Sequence, residues 1–259
     1  MLDDLHVRVI SFSSDPPLLA KLRTLFPTSS VSVQPAVDVR GIDTQTLLAG
    51  NLIGHSGANS ITQGRRWHHE LPNKGGVGLA HAVRLALLED PSRNLLLFEE
   101  DCAIRDEARL LAYVRTLATN APNFDIAVMG TLHTYQTTKK RVDGLPDWVH
   151  LEDMFWGLHC VMYPAHSRSK IAAVLDGRLD MQIDSLYGSM AKNDLLKVWG
   201  QVDNPCVYQE WHVSGVQDMK TLPIVINTFT ALRWGTLAIV IGVLMGMAAT
   251  YFAMRASRR

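Results

Sequence analysis

Cysteine is scarce. The 259-residue chain holds three, Cys102, Cys160 and Cys206, an odd number at irregular spacing. That excludes a disulfide framework, and without a Cys-x-x-Cys pair there is no zinc-site signature. Cys102 follows an apolar strand pattern and Cys160 lies in another apolar run, so buried free thiols are expected, as in a reducing compartment. Net charge is lacking too: 25 basic residues balance 25 acidic ones. No basic block stands before the C-terminal tail, which leaves no electrostatic footprint for nucleic acid. There is no Gly-x-x-x-x-Gly-Lys-Ser/Thr loop and no Gly-x-Ser-x-Gly elbow, so P-loop hydrolysis and α/β-hydrolase chemistry lack support. The N-terminal Met1-Leu2-Asp3-Asp4-Leu5-His6 has no apolar stretch of the kind a secretory signal needs. Repeats and low-complexity segments are absent, and an apolar content of 47% argues against global disorder.

What is present divides the chain. Trp234 to Met254 is uncharged and apolar, which meets the roughly 20-residue requirement for crossing a bilayer. Arg233 flanks one side, Arg255, Arg258 and Arg259 the other, and Trp234 and Tyr251 sit near the ends, where amphipathic aromatics prefer the membrane interface. A buried core helix is the competing reading, though such helices rarely lack a polar face for so long. Gly242-x-x-x-Gly246 offers a face for homodimerisation through closely approaching helices. The expected organisation is a globular domain over 1–218, a linker over 219–233, a membrane helix over 234–254 and a basic tail over 255–259. A C-terminal anchor inserted after synthesis leaves the domain in the cytosol, whereas the arginine excess after the helix favours the opposite orientation. The cytosolic arrangement is the expectation, the tail being so short.

Within the globular part, strands alternate with helices, which implies an α/β fold with a mainly parallel central sheet. Strands are predicted over Val7–Phe12, Val31–Val33, Asn94–Phe98, Asp125–Met129, Phe155–Tyr163, Leu195–Trp199 and Cys206–Tyr208. Helices are predicted over Pro17–Leu25, Val77–Glu89, Glu107–Leu117, Ser167–Leu175 and Ile183–Ala191. Residues from about Gly50 to Gly76 are rich in Gly, Asn, Ser and His and read as a long loop. Residues 131–153, with Lys139-Lys140-Arg141, read as polar and irregular.

The sharpest chemical signal is the apolar strand that runs into Glu99-Glu100-Asp101. Carboxylates there sit at the carboxyl end of the sheet, where ligands bind in open α/β folds. The strand period of two puts Glu99 and Asp101 on one side and Glu100 opposite. Two converging carboxylates repel unless a cation lies between them. A hard divalent ion shared with diphosphate oxygens resolves that repulsion and screens the charge of a departing nucleotide diphosphate. A solvated acidic turn is the alternative.

Several landmarks in order resemble glycosyltransferase family 25, which includes lipopolysaccharide galactosyltransferases and procollagen galactosyltransferases. They are Ala36-Val37-Asp38, Gly76-Val77-Gly78-Leu79-Ala80-His81, Glu99-Glu100-Asp101-Cys102, Gly157-Leu158-His159-Cys160-Val161, Gln182-Ile183-Asp184, and Gln209 with Ser214. The likeness spans roughly Val7 to Gln217. The family pattern has serine where Ala80 stands, aspartate where Glu100 stands and tyrosine where Val161 stands, so the chain reads as a divergent member.

The resemblance implies a nucleotide-diphospho-sugar transferase (GT-A-like) fold and a UDP-hexose donor such as UDP-galactose. Glu99 and Asp101 would hold Mn²⁺ or Mg²⁺, with Glu100 in the donor site. Asp38 would lie near the nucleoside, with a turn aspartate as the competing reading. His81 would sit beneath the donor, or serve as a structural histidine. Family members invert the anomeric centre, which needs a carboxylate to take the acceptor proton. Asp184 is the candidate, against a substrate-binding or helix-capping role. His159, Gln209 and Ser214 are candidate substrate contacts, with a core histidine as the alternative for His159. Arg65, Arg66 and Lys74 flank the long segment and are placed to close over a diphosphate, or else form a solvated basic face. His68-His69-Glu70 lacks the i, i+4 spacing of a helix-borne zinc site.

The expected function is therefore a membrane-anchored, metal-dependent hexosyltransferase acting on a glycan, lipid-linked or protein acceptor. A catalytically inactive anchored binding or scaffold protein on the same fold is the alternative, and a nucleotide-sugar hydrolase is a third reading.

Overall fold

The computed structural model describes residues 5–67, 69–130 and 140–210, together with the backbone of 133–134. His68, Lys139, Ser214, the 219–233 linker, the apolar run over 234–254 with Gly242 and Gly246, and the basic tail lie outside the described residues. Among the described residues, no helix is long and apolar enough to cross a membrane.

The strand β1 (Leu5–Ser11) is buried at every position, as a strand covered on both faces must be. Helix α1 (Pro17–Leu25) opens on a proline, whose missing N–H costs nothing in a first turn. It returns the chain to β2 (Ser30–Pro35), which lies parallel to β1. Helix α2 (Thr44–Ala49) is capped by Asp43, whose carboxylate accepts the Gln45 and Thr46 N–H groups.

Helix α3 (His55–Gln63) stands where composition predicts loop. Its residues are poor helix formers, so the cause is tertiary. Gly57, Ala58 and Ser60 form a buried face, and a Cβ at Gly57 would run into the Leu179 carbonyl. Asp180 reaches across to accept the Gly57 N–H at 2.8 Å. Contact with residues 179–180 overrides local propensity.

Helix α4 (Lys74–Leu88) leads to β3 (Asn94–Glu99) and the short β4 (Cys102–Ile104). Helix α5 (Glu107–Asn120) is capped by Asp106, and a single 3₁₀ turn joins it to β5 (Ile126–Val128). Next come β6 (His133–Thr134), then β7 (Arg141–Val142) and β8 (Leu145–Leu151), an antiparallel pair within the stretch expected to be irregular. The single strand expected over Phe155–Tyr163 is broken in two, β9 (Phe155–Trp156) and β10 (Cys160–Tyr163). Gly157 lies between them at φ +100°, a backbone state that strands do not use. β9 pairs with β6, while β10 enters the main sheet. Helices α6 (Ala165–Val174) and α7 (Ile183–Lys192) precede β11 (Val198–Gln201) and β12 (Val207–Gln209).

The main sheet has the order β2-β1-β3-β10-β5-β11-β8-β7, and β12 with β4 forms a separate ribbon. β10 and β8 run against the other strands, so the sheet is mixed, with most strands sharing one direction. Two hydrophobic clusters flank it. Leu95 and Leu97 join one, with side chains of α4, α6 and α7. Leu96 and Phe98 join the other, with α1 and α5. This period-two division makes a three-layer α/β/α body. It also sets the side of the next residue, since Glu99 continues the face of Leu95 and Leu97 that is covered by α7.

A buried arginine ties α6 to the end of α4 and the loop into β3. Arg168 on α6 is fully buried. Its Nε donates to Leu87 O, and its two terminal nitrogens donate to Ala86, Glu89, Asp90 and Arg93 carbonyls at 2.6–2.7 Å. All five guanidinium donors are used on backbone carbonyls of the last turn of α4 and the loop after it, where a cation also complements the helix dipole. Burial lowers its pKa to about 10, which leaves it charged at neutral pH. Arg168→Met is expected to lower unfolding free energy by about 1–3 kcal/mol or more, the scale for leaving buried carbonyls without a donor. Urea unfolding monitored by circular dichroism measures this, and a loss below 1 kcal/mol would mean that water replaces the guanidinium.

Candidate active site

The carboxyl ends of β1, β2 and β3 lie along one edge, with Ile10 opposite Glu99 and Ser11 opposite Pro35. β10 runs the other way, so its start is at the same edge, and the Glu99 N–H donates to His159 O at 3.0 Å. The Met129 N–H, at the end of β5, likewise donates to Cys160 O. The edge therefore collects Ser11, Glu99, Gly130 and the residues 157–159.

Three carboxylates meet there. Glu99 arrives on β3, Asp101 follows two residues on, and Asp184 comes from the first turn of α7. The Glu99 carboxyl is held well above the usual range, first by desolvation and then by the charges of Asp101 and Asp184. Asp184 is buried, and burial pushes it up to about 6. Its Oδ2 accepts the Gly157 N–H at 3.4 Å and its Oδ1 accepts the Ser185 N–H at 2.7 Å. These bonds favour the ionised form but do not offset desolvation. Gly157 sits at the gap between β9 and β10, so the break in that strand supplies one of the donors that orients Asp184.

Glu100 and Asp101 are each held by a partner from another strand. The Glu100 carboxylate accepts the Ser11 hydroxyl from the end of β1. Asp101 Oδ2 accepts the Gln209 amide at 2.7 Å, and its carbonyl accepts the Glu210 N–H. β12 pairs with β4 at Gln209 opposite Cys102, so this ribbon clamps the acidic turn. Gln209 thus contacts an acid of the cluster.

Small residues let the surrounding helices approach. A Cβ at Gly78 would run into the Val37 carbonyl, so α4 rests on the Ala36-Val37-Asp38 segment with no room for a side chain. A Cβ at Gly188 would stand 2.6 Å from Met154 Cα, which seats α7 on residues 153–154.

Other sequence candidates are placed differently. Asp38 is exposed and forms a two-pronged ion pair with Arg40, at 2.7 and 2.8 Å. That pairing lowers its pKa to about 2, and the Arg40 guanidinium lies 5.0 Å from the centre of the exposed Phe12 ring. Any nucleoside contact at Asp38 would share the carboxylate with Arg40. His81 is half-buried on α4, three residues past Gly78. His159 is buried beneath the edge beside Gly130, and burial lowers its pKa to about 4, so it is neutral at pH 7. Lys74 donates to the carbonyls of Arg40 and Ile42, which ties the start of α4 to the Asp38 segment. Arg65 and Arg66 lie on the segment before α4, and this segment is joined to the approach of α7 by the Gln182 N–H to His69 O at 2.9 Å. Cys102, Cys160 and Cys206 are free and buried. A surface recess of about 780 Å³, lined by Lys21, Arg105, Asp106, Glu107 and Arg109, opens at the start of α5 and includes none of the three acids.

Among the described residues, no group of three or more His, Cys, Asp or Glu side chains is arranged to hold a metal ion by itself. The donor set that does fit is smaller. Glu99 and Asp101 are hard oxygen ligands that repel one another, and Mg²⁺ or Mn²⁺ is commonly held by one or two carboxylates with phosphate oxygens and water completing the shell.

No family model and no curated protein matches the chain. Solved structures of similar shape include mannose-1-phosphate geranyltransferase from Thermus thermophilus, at 13% identity over 80% of this chain and 74% of that one, TM-score 0.42. Another is the galactosyltransferase LgtC in complex with donor and acceptor sugar analogs, at 10% identity over 87% and 95%, TM-score 0.38. A third is the 4-diphosphocytidyl-2C-methyl-D-erythritol synthase from Anaerococcus prevotii, at 12% identity over 89% and 98%, TM-score 0.38.

Acids with raised pKa values bind protons more tightly in the folded state. Their contribution is most favourable at low pH and is lost as pH rises from the unfolded value of 3.8 through the folded value, about 6 for Asp184. Metal-free protein is expected to lose stability across that window. Glu99→Gln removes one of the repelling charges and is expected to raise the melting temperature more at pH 8 than at pH 5, by about 2–4 °C per kcal/mol relieved. Calorimetric scans at both pH values measure this, and an unchanged or lowered melting temperature at pH 8 would show that the Glu99 charge is compensated.

Proposed function

We propose that the chain is a metal-dependent glycosyltransferase of the family 25 type that moves a hexose from a UDP-sugar to a hydroxyl of a glycan, lipid-linked or protein acceptor. The observation that supports this most is the placement of Glu99, Asp101 and Asp184 at the carboxyl edge of the sheet, where burial and the charges of Asp101 and Asp184 disfavour ionisation of Glu99. A fold that keeps such a cluster against its own stability has a use for it.

In this reading Glu99 and Asp101 would hold Mn²⁺ or Mg²⁺, which when bound would supply neutralisation of the charge on a departing nucleotide diphosphate. Glu100, fixed by Ser11, and Asp38 with Arg40 line the nucleoside side. Asp184 takes the proton of the acceptor hydroxyl. As that oxygen bonds to the anomeric carbon, the bond to the phosphate oxygen breaks, its electron pair leaves with UDP, and the configuration inverts. A pKa of about 6 suits this task, because Asp184 is mainly ionised at pH 7 yet more basic than an ordinary aspartate. UDP-galactose is the first donor to test. We also propose that the apolar run over 234–254 anchors the domain, with its active face in the cytosol, and that Gly242 and Gly246 mark a face for pairing two such helices.

The test is turnover of a panel of UDP- and GDP-sugars by residues 1–225, with and without Mn²⁺. Donor turnover that depends on Mn²⁺ is expected. Asp184→Asn is expected to reduce it about 10²–10⁴-fold, the range for losing a general base, with UDP affinity unchanged. In the unaltered protein the rate is expected to rise with pH through an apparent pKa near 6. Metal-independent turnover, or none with any donor, would overturn the reading and favour a silent binding protein.

A further inference from the structure

The segment between α3 and α4 carries an exposed indole that no part of the proposed donor chemistry uses. Trp67 is 65% exposed, whereas Trp148 and Trp199 are buried. Its presentation is built. The Glu70 carboxylate accepts the backbone N–H groups of Arg66 at 2.5 Å and Trp67 at 3.1 Å, which fixes a tight turn with the indole outward. Those bonds hold the Glu70 carboxyl below its usual range.

The turn is also fastened to the acidic cluster through the chain. Glu70 bridges to Met181, and the Gln182 N–H donates to His69 O at 2.9 Å. Asp184 is two residues further on, at the head of α7. A second feature lies two residues before the indole: Arg65 Nη2 is shielded from solvent with no hydrogen-bond partner among the described residues. A shielded guanidinium nitrogen without an acceptor is costly, and a ligand oxygen removes the cost.

From these features we infer that Arg65 and Trp67, on the turn held by Glu70, recognise the acceptor, and that the acceptor is a carbohydrate whose pyranose ring lies on the Trp67 indole. The chemistry selects a sugar over an apolar partner. A pyranose presents C–H groups on one face and hydroxyls around its rim, which suits an exposed aromatic plane with arginine donors one and two residues away in the chain. Among the described residues of the turn, the flanking Arg65, Arg66 and His69 are polar, so Trp67 has no large apolar neighbour in the turn itself. The backbone links to Met181 and Gln182 tie the turn to the start of α7, the helix that carries Asp184. This identification of the acceptor rests on the glycosyltransferase reading, but sugar binding at the turn does not depend on it.

Saturation-transfer NMR of the full chain with methyl β-galactopyranoside, methyl α-glucopyranoside and methyl α-mannopyranoside tests the inference, with sorbitol as the open-chain control. Transfer to ring C–H protons of at least one pyranoside is expected, with none to sorbitol. A loss of fivefold or more is expected in Trp67→Ala, with retention in Trp67→Phe. No transfer from any pyranoside, or equal transfer in Trp67→Ala, would overturn it. UDP affinity measured on the same samples separates the two readings. Sugar contact without UDP binding removes the donor reading and leaves the turn as a sugar site. UDP binding with no sugar contact removes the turn and leaves the donor reading.

Discussion

Repulsion among Glu99, Asp101 and Asp184 is the constraint around which the rest of the molecule is arranged. Three carboxylates in a desolvated corner lower stability unless a proton or a cation intervenes. The fold enforces the meeting by simple means. Leu95 and Leu97 commit one face of β3 to the layer containing α7, and Glu99 is the next residue of that face. Asp184 stands in the first turn of α7, held there by the Gly157 and Ser185 N–H groups. Neither acid can turn away without breaking the packing that positions it.

The supporting elements make the arrangement rigid from both sides. The β4·β12 ribbon holds Asp101 through Gln209, and β1 holds Glu100 through Ser11. Close helix approaches at Gly78 and Gly188 leave α4 and α7 no slack. Arg168 closes the end of α4 on α6. Unlike the acids, it is a buried charge whose every donor is satisfied. The contrast is informative: the same fold completes one buried ionic group and leaves another in mutual opposition, as expected where a ligand completes it.

Much of the scaffold was legible in the sequence. The apolar run of β1, the proline at the start of α1 and the strand that ends in Glu99 follow directly from patterning, because central strands and capped helices are specified locally. The elements that were not legible depend on distant partners. Helix α3 looks like loop because its glycine, Gly57, serves contact with Leu179 and Asp180. The split of Phe155–Tyr163 turns on Gly157 alone. β10 runs against its neighbours, which no local pattern encodes. Arg168 reads as a surface cation, and Gln209 gives no hint that it grips Asp101. Glu99 and Asp101 were visible as a chemical signal from position alone. The approach of Asp184 across 83 residues was indicated only through the family resemblance, since proximity of that kind is a property of topology. Nothing about Trp67 marked it beforehand, because exposure is decided by the turn that Glu70 holds.

A divalent ion fitting between acids that otherwise repel is what the proposed chemistry requires. Electron paramagnetic resonance of Mn²⁺ tests this directly, because the free ion's signal is lost when it binds. Titrated into the protein, Mn²⁺ is expected to bind weakly alone and at least tenfold more tightly with UDP present, and substituting both Glu99 and Asp101 by alanine is expected to abolish that binding. A free-ion signal that persists with UDP present, or binding that survives loss of both carboxylates, would contradict the account.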